Sequence, residues 1–214
     1  MNIDHKEFYE AVKKGTTTVG ILCGDGVVIG SDSRATMDTF IASTEAIKVY
    51  KIGDNLGMTI AGGVGDAEYL VKLLKVQNEM YKMDEGKPLS PTSATSLLSL
   101  ILQENKGFPF LVQLILAGIN NGVPEIFNID PLGGYTKESK FTATGSGSLT
   151  ALGYVEGIYT DDMSVQDAAK HVLKAIRIAM RRDNATGDST RLVAITKKGY
   201  KEYTREEMEK LIGK

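Results

Sequence analysis

Segments with strand character and segments with helix character arrive in blocks along this chain, and that order limits the folds open to it. Two β-type runs come first, 17–23 and 27–33, joined by a GDG turn at 24–26. Thr and Val favour strands, and a tight glycine turn between two such runs predicts an antiparallel hairpin. Two more strand-like runs follow at 47–52 and 56–61, ending in the glycine-rich AGGVGD. Asp66 then opens a helical pattern in which Ala67, Leu70, Val71 and Leu74 recur at helical spacing, continuing to about Lys82. A second helix is predicted after Ser90-Pro91, with Ser90 as N-cap, Pro91 in the first helical position, and Ala94, Leu97, Leu98 and Ile101 on its apolar face.

Strands return at 111–119, 123–129 and 140–144, separated by NNG and PLGG, and TGSGS leads into a helix from about 148 to 159. A longer helix over 165–181 is capped by Ser164 and carries Val165, Ala168, Ala169, Val172 and Ile176 on one face. Strands at 190–196 and 199–203 and a short charged helix close the chain. Strands, two helices, strands, two helices, strands is not the alternation of a parallel βαβ fold. It predicts an α+β protein: a four-layer α-β-β-α sandwich, two antiparallel sheets face to face with a helix pair outside each. Neither a repeat nor a linker interrupts the 214 residues, which suit one domain with a sizeable core.

The composition excludes several functions. A formal net charge of -2 supplies no basic field for nucleic acid. Cys23, the one cysteine, rules out an internal disulfide and reads as a core residue in a reducing compartment. His5 and His171 stand far apart without metal-spaced partners, so neither a metal nor another cofactor is expected. Residues 1–15 mix acids and bases and lack the apolar core of a secretory signal, and no run approaches the roughly 20 apolar residues of a membrane span. The expectation is a cytoplasmic protein without membrane contact.

Two charges interrupt apolar strands. Lys48 lies in Ala46-Ile47-Lys48-Val49-Tyr50, and Asp32 closes VVIGSDSRA. A solvated strand face would accommodate either one. Acids seldom enter a core unpaired, so together they suggest a buried ion pair, and a Lys beside an Asp beneath a hydroxyl can activate a nucleophile. The hydroxyl is offered by GTTTVG at 15–20, where composition changes abruptly from a charged segment compatible with a helix to strand residues. Three threonines at the start of a strand are also ordinary β-propensity, the default reading for Thr17 and Thr18. Thr16 differs because it follows Gly15 and a detachable segment. Cutting the Gly15–Thr16 bond would free an α-amine of pKa about 7.7–8.0, able to take the proton from its own Oγ near neutral pH.

Gly15-Thr16-Thr17-Thr18, then Asp32, Arg34 and Ala35, Lys48 followed by VYKI, Ala61-Gly62-Gly63-Val64-Gly65-Asp66, FTATGSGS at 141–148 and Arg182-Asp183 form an ordered set. In this it resembles the β-subunit family of proteasomes, archaeal type, which are N-terminal-nucleophile threonine peptidases. The resemblance implies a propeptide at 1–15, removed by self-cleavage, and a hydrolase domain at 16–214. Thr16 would be nucleophile and general base, Lys48 the cation that lowers the pKa of its hydroxyl and amine, and Asp32 the group that orients Lys48. The Gly62 N–H would be the oxyanion donor, with Ser146, Asp183 and Thr186 around the Thr16 amine. The family often has Ser where this chain has Thr186, whose methyl adds bulk.

Ala35, Ala46, Ile60 and Val64 align with positions lining the pocket for the residue before the scissile bond, and Thr36 with one that pairs with substrate backbone. An uncharged pocket implies cleavage after hydrophobic residues. The family further implies homo-oligomeric β rings stacked on rings of α subunits, a regulatory ATPase at the ends, and unfolded polypeptides as substrates. Three rival readings compete. Gly145-Ser146-Gly147 between strand and helix hints at a dinucleotide site, but Thr150 stands where that fingerprint needs glycine. A catalytically silent ring subunit generally lacks the nucleophile, the Asp or the Lys, and all three are here. The related bacterial proteasome-like peptidase tends to have a shorter leader and a smaller chain.

Overall fold

The computed structural model describes residues 15–37 and 39–213. The expectation of a helical segment before Gly15 falls outside the described residues. β1 (Thr18–Cys23) and β2 (Gly26–Asp32) form the first hairpin, with Cys23 opposite Gly26 across a Gly24-Asp25 turn. They occupy the middle of a five-stranded sheet ordered β10-β1-β2-β11-β12, where β10 is Phe141–Thr144, β11 Thr190–Thr196 and β12 Gly199–Glu202. A second five-stranded sheet runs β5 (Val49–Gly53), β6 (Leu56–Gly62), β7 (Val112–Asn120), β8 (Val123–Ile129) and β9 (Tyr135–Glu138) in sequence order. The described pairings are antiparallel, as the block order predicts.

Helices α1 (Val64–Glu85) and α2 (Pro91–Glu104) pack on the second sheet, and α3 (Ser148–Glu156) and α4 (Val165–Ala179) on the first. A short helix α5 (Arg205–Leu211) is fixed by a capping box between Thr204 and Glu207 and packs against α4.

Period-2 alternation sorts the side chains into three apolar layers. Val27 and Ile29 of β2 point between the sheets, to Ile115, Ile126 and Val193, while Val28 points outward to Val172 and Ile176 of α4. On the far side Met58, Leu114 and Leu116 meet Leu70, Leu74 and Leu98 of α1 and α2. The NNG turn closes β7 to β8 through Asn121 and Gly122 at φ 49° and 82°, the two positive values of a type I′ turn.

Three expectations need correction. α1 begins at Val64 with Gly63 as an extended N-cap, and Asp66 lies within its first turn, where the carboxylate accepts the Leu111 N–H at 2.8 Å. Asp66 therefore ties the helix to the loop before β7. α1 also runs past Lys82 to Glu85, stopping where Gly86 turns left-handed. Finally, β3 (Ala35–Met37) and β4 (Phe40–Ser43) pair as a separate two-stranded hairpin, and β9 extends the second sheet. Their residues are largely exposed, so no alternating apolar face marked them in the sequence.

Cys23 sits among the residues under α4, and burial pushes its thiol pKa up to about 12. The folded protein is expected to resist alkylation by iodoacetamide at pH 8, then to take up one label per chain after denaturation. Labelling of the native protein as fast as of the denatured chain would contradict this placement.

Candidate active site

The β1 neighbours explain how distant segments meet. Thr16 lies just before β1. Asp32 ends β2 on one side of it, and the Gly145-Ser146 loop follows β10 on the other. The 183–188 loop leads into β11, the next strand out. Lys48 immediately precedes β5, so the second sheet delivers it.

Asp32 is fully buried and accepts four hydrogen bonds. Its Oδ1 takes Thr17 N–H and Lys48 Nζ, each at 3.0 Å, and its Oδ2 takes Arg34 N–H at 3.1 Å and Gly187 N–H at 3.0 Å. Lys48 exposes 5 % of its surface and spends its three ammonium protons on Asp32 Oδ1, the Gly15 carbonyl at 3.0 Å and the Arg34 carbonyl at 2.5 Å. Burial holds the Lys48 pKa below that of an ordinary lysine, and the Asp32 carboxylate opposes this. Burial thus makes Lys48 easier to deprotonate than a solvated lysine.

Thr16 is buried, and its Oγ1 lies 2.5 Å from the carbonyl oxygen of Gly15, the same oxygen that Lys48 contacts. Gly15 has φ 84°, a left-handed value that side-chain-bearing residues seldom adopt. The Thr16 N–H points to Ser146 Oγ at 3.4 Å, and Ser146 donates its own proton to Asp183 Oδ2 at 2.5 Å. Thr186 Oγ1 also donates to Asp183 Oδ2, at 2.6 Å. Each hydroxyl has one proton, so in the 2.7 Å contact between Thr17 Oγ1 and Thr186 Oγ1 the donor is Thr17. The methyl of Thr186 is accommodated, with the residue wholly buried.

Gly62, at the end of β6, has φ 112°, and a Cβ there would stand 2.1 Å from the Leu111 carbonyl oxygen. No side chain fits at that position. Its neighbour Gly63 already donates to Leu111 O at 2.6 Å.

Of the expected substrate residues, Ala35 and Thr36 belong to β3 and Ala46 to the connection before Lys48, all half-buried. Val64 begins α1 half exposed, whereas Ile60 is sealed in the layer between the second sheet and its helices. A cavity of about 350 Å³ beside the site is lined by Arg34, Thr36, Thr39, Ile41, Asn184 and Ala185. It includes none of the four expected pocket residues, and of the expected substrate residues it contains only Thr36.

Two site residues have roles that the sequence alone leaves unassigned. Thr17 reads there as strand propensity, yet its N–H and hydroxyl bond to Asp32 and Thr186. Arg34 carried the family motif without a role. Its guanidinium grips Asp188 through Nε at 3.0 Å and Nη2 at 3.2 Å, and donates to the Asn184 carbonyl at 2.9 Å. That bidentate pair ties the 183–188 loop to the start of β3 and raises the Arg34 pKa further. The Arg beside Asp32 was a usable signal; nothing in the sequence separates Thr17 from Thr18.

Among the described residues no cluster of His, Cys, Asp and Glu could hold a metal ion, and no helix is long and apolar enough to cross a membrane. The profile of a family described as "Proteasome subunit" matches residues 12–195. A proteasome subunit beta of Methanothrix thermoacetophila is 47 % identical over 199 residues, covering 93 % of this chain and 96 % of its own. One from Methanocaldococcus fervens is 48 % identical over 203 residues, covering 94 % of this chain and 90 % of its own. For that of Methanococcus vannielii the values are 45 % over 214 residues, with 99 % and 97 % covered. With an α-β-β-α sandwich and a match over most of its length, this chain belongs to the proteasome subunit family.

Proposed function

We propose that this chain is the catalytic β subunit of a proteasome-type core particle, a threonine endopeptidase that frees its own nucleophile by cutting between Gly15 and Thr16. One observation carries the reading: Thr16 Oγ1 and Lys48 Nζ converge on the carbonyl of the residue to be removed, at 2.5 and 3.0 Å. Attack by Oγ on the Gly15 carbon forms the C–O bond and breaks the C–N bond. The Oγ proton passes to the Thr16 nitrogen. Water then opens the ester, leaving a carboxylate on Gly15 and a free hydroxyl and amine on Thr16. Lys48 polarises the carbonyl in the first stage and lowers the pKa of the hydroxyl in later turnovers. Asp32 holds Lys48, Gly62 N–H donates to the oxyanion, and the Ser146–Asp183–Thr186 chain orients the new amine.

Substrate polypeptide, unfolded, pairs with Thr36 as an added strand. Ala35, Ala46 and Val64 accept an apolar side chain before the cut, and Ile60, sealed beneath in the core, supports that wall without lining it. The names of the relatives support assembly as a β subunit of a proteasome; β rings stacked on α rings, a regulatory ATPase at the ends and a cytoplasmic setting complete the proposal. In this reading residues 1–15 keep the subunit silent until assembly, because an amide nitrogen at Thr16 is no base. Intact-mass measurement of the purified active protein tests the reading. It is expected to show a chain beginning at Thr16. An active protein that retains residues 1–15 would overturn it.

A further inference from the structure

The leader and a substrate bring their carbonyls to the same hydroxyl, yet the backbone at Gly15 is one that no substrate residue with a side chain can copy. A Cβ built on Gly15 would lie 2.7 Å from Thr36 Oγ1, well inside van der Waals contact, and Gly15 already needs φ 84°. Thr36 Cβ itself is 4.0 Å from that point, an ordinary distance, so the obstruction is the hydroxyl oxygen alone. β3 shifts register against β4 between Ala35 and Thr36, an irregularity of the kind that re-aims a side chain out of the regular pleat. Branching at Cβ limits the rotamers by which Thr36 can withdraw.

From this contact we infer that the Thr36 side chain is a specificity-determining element for self-cleavage: it admits the leader carbonyl only when residue 15 lacks a side chain. The inference rests on the proposed cut between Gly15 and Thr16 and assigns Thr36 a role beyond backbone pairing. Two approach paths to Thr16 follow. A substrate residue in added-strand conformation has negative φ and turns its side chain away from this contact, into the apolar pocket. The leader arrives with positive φ, and its Cβ direction ends on Thr36. Trans cleavage therefore favours a large apolar side chain at the very position where self-cleavage tolerates none. The device also separates maturation from turnover, since a peptide cannot re-enter by the leader's path unless it presents glycine.

The experiment follows leader release by intact mass after refolding and assembly of full-length precursors. The set is wild type, Gly15→Ala, Gly15→Leu and Thr36→Ala, with Gly15→Ala combined with Thr36→Ala or with Thr36→Val. Gly15→Ala is expected to slow release about tenfold to a hundredfold, the range that overpacking produces. Adding Thr36→Ala is expected to recover most of the part due to contact. Thr36→Val, which keeps the bulk, is expected to recover none. Gly15→Leu is expected to stall, although the wild-type mature enzyme cuts fluorogenic peptides after Leu.

Equal rates for the two double variants would overturn the inference, leaving the positive φ as the sole reason for glycine. So would wild-type release by Gly15→Ala, or a Thr36→Ala precursor that keeps its leader while assembled. A wild-type precursor uncut at 15–16 is a distinct result, which removes the peptidase reading and this inference together.

Discussion

Replacing Thr16 by alanine is expected to abolish both leader release and peptide hydrolysis, while assembly and thermal stability stay close to wild type. The side chain of Thr16 makes its described hydrogen bond to Gly15, inside the segment that the proposed maturation removes, so few structural contacts depend on it. The proposed chemistry depends on it wholly. Lys48 shares the Gly15 carbonyl oxygen with this hydroxyl, and Ser146 faces the Thr16 N–H rather than the carbonyl. Thr16→Ser retains a hydroxyl and, once cut, an α-amine, so measurable activity is expected to survive. Turnover of a fluorogenic peptide and the intact mass of each variant check both statements. Residual hydrolysis by pure Thr16→Ala within tenfold of wild type, roughly 1.4 kcal/mol in barrier, would move the nucleophile elsewhere.

The second large effect is at Lys48. Lys48→Ala is expected to lower kcat/KM by about 10²–10⁴, the range for losing a positioned proton-transfer group. Breaking a buried ion pair by removing one partner commonly costs about 3–5 kcal/mol. Here the loss is expected to fall below that range, because Asp32 keeps three backbone donors, from Thr17, Arg34 and Gly187. The pH dependence gives a sign. Burial lowers the folded pKa of Lys48 from the ordinary 10.5, so between the two values the unfolded chain binds more protons than the folded one. Wild-type stability is therefore expected to rise with pH across that window relative to Lys48→Ala, and the difference in denaturation midpoint measures it. A difference that falls with rising pH would mean Asp32 outweighs burial at this site.

The pairing of Lys48 with Asp32 is legible in the sequence because charge inside an apolar strand needs a partner, whatever the fold. Thr16 was readable for a comparable local reason: a break in composition at Gly15, followed by strand residues. The hairpin at Gly24-Asp25, the Asn121-Gly122 turn and the caps at Ser90 and Ser164 are also local, and short-range hydrogen bonds place them. The exposed hairpin β3–β4 escaped because it buries no alternating face, and the start of α1 was misplaced because Asp66 bonds across to Leu111.

Only the tertiary structure decided how the segments of the candidate site meet. Thr17 and Thr186 are 169 positions apart when their hydroxyls touch, and Asp32 and Gly187 are separated by 155. They meet because β1, β2, β10 and β11 are neighbours in one sheet and end together, while β5 brings Lys48 from the other. The roles of Thr17 and Arg34, and the contact between Gly15 and the Thr36 hydroxyl, arise at that convergence. Composition and periodicity report what a residue prefers within a few neighbours. Which oxygen stands 2.7 Å from an absent Cβ depends on how two strands, far apart in the chain, are held in register.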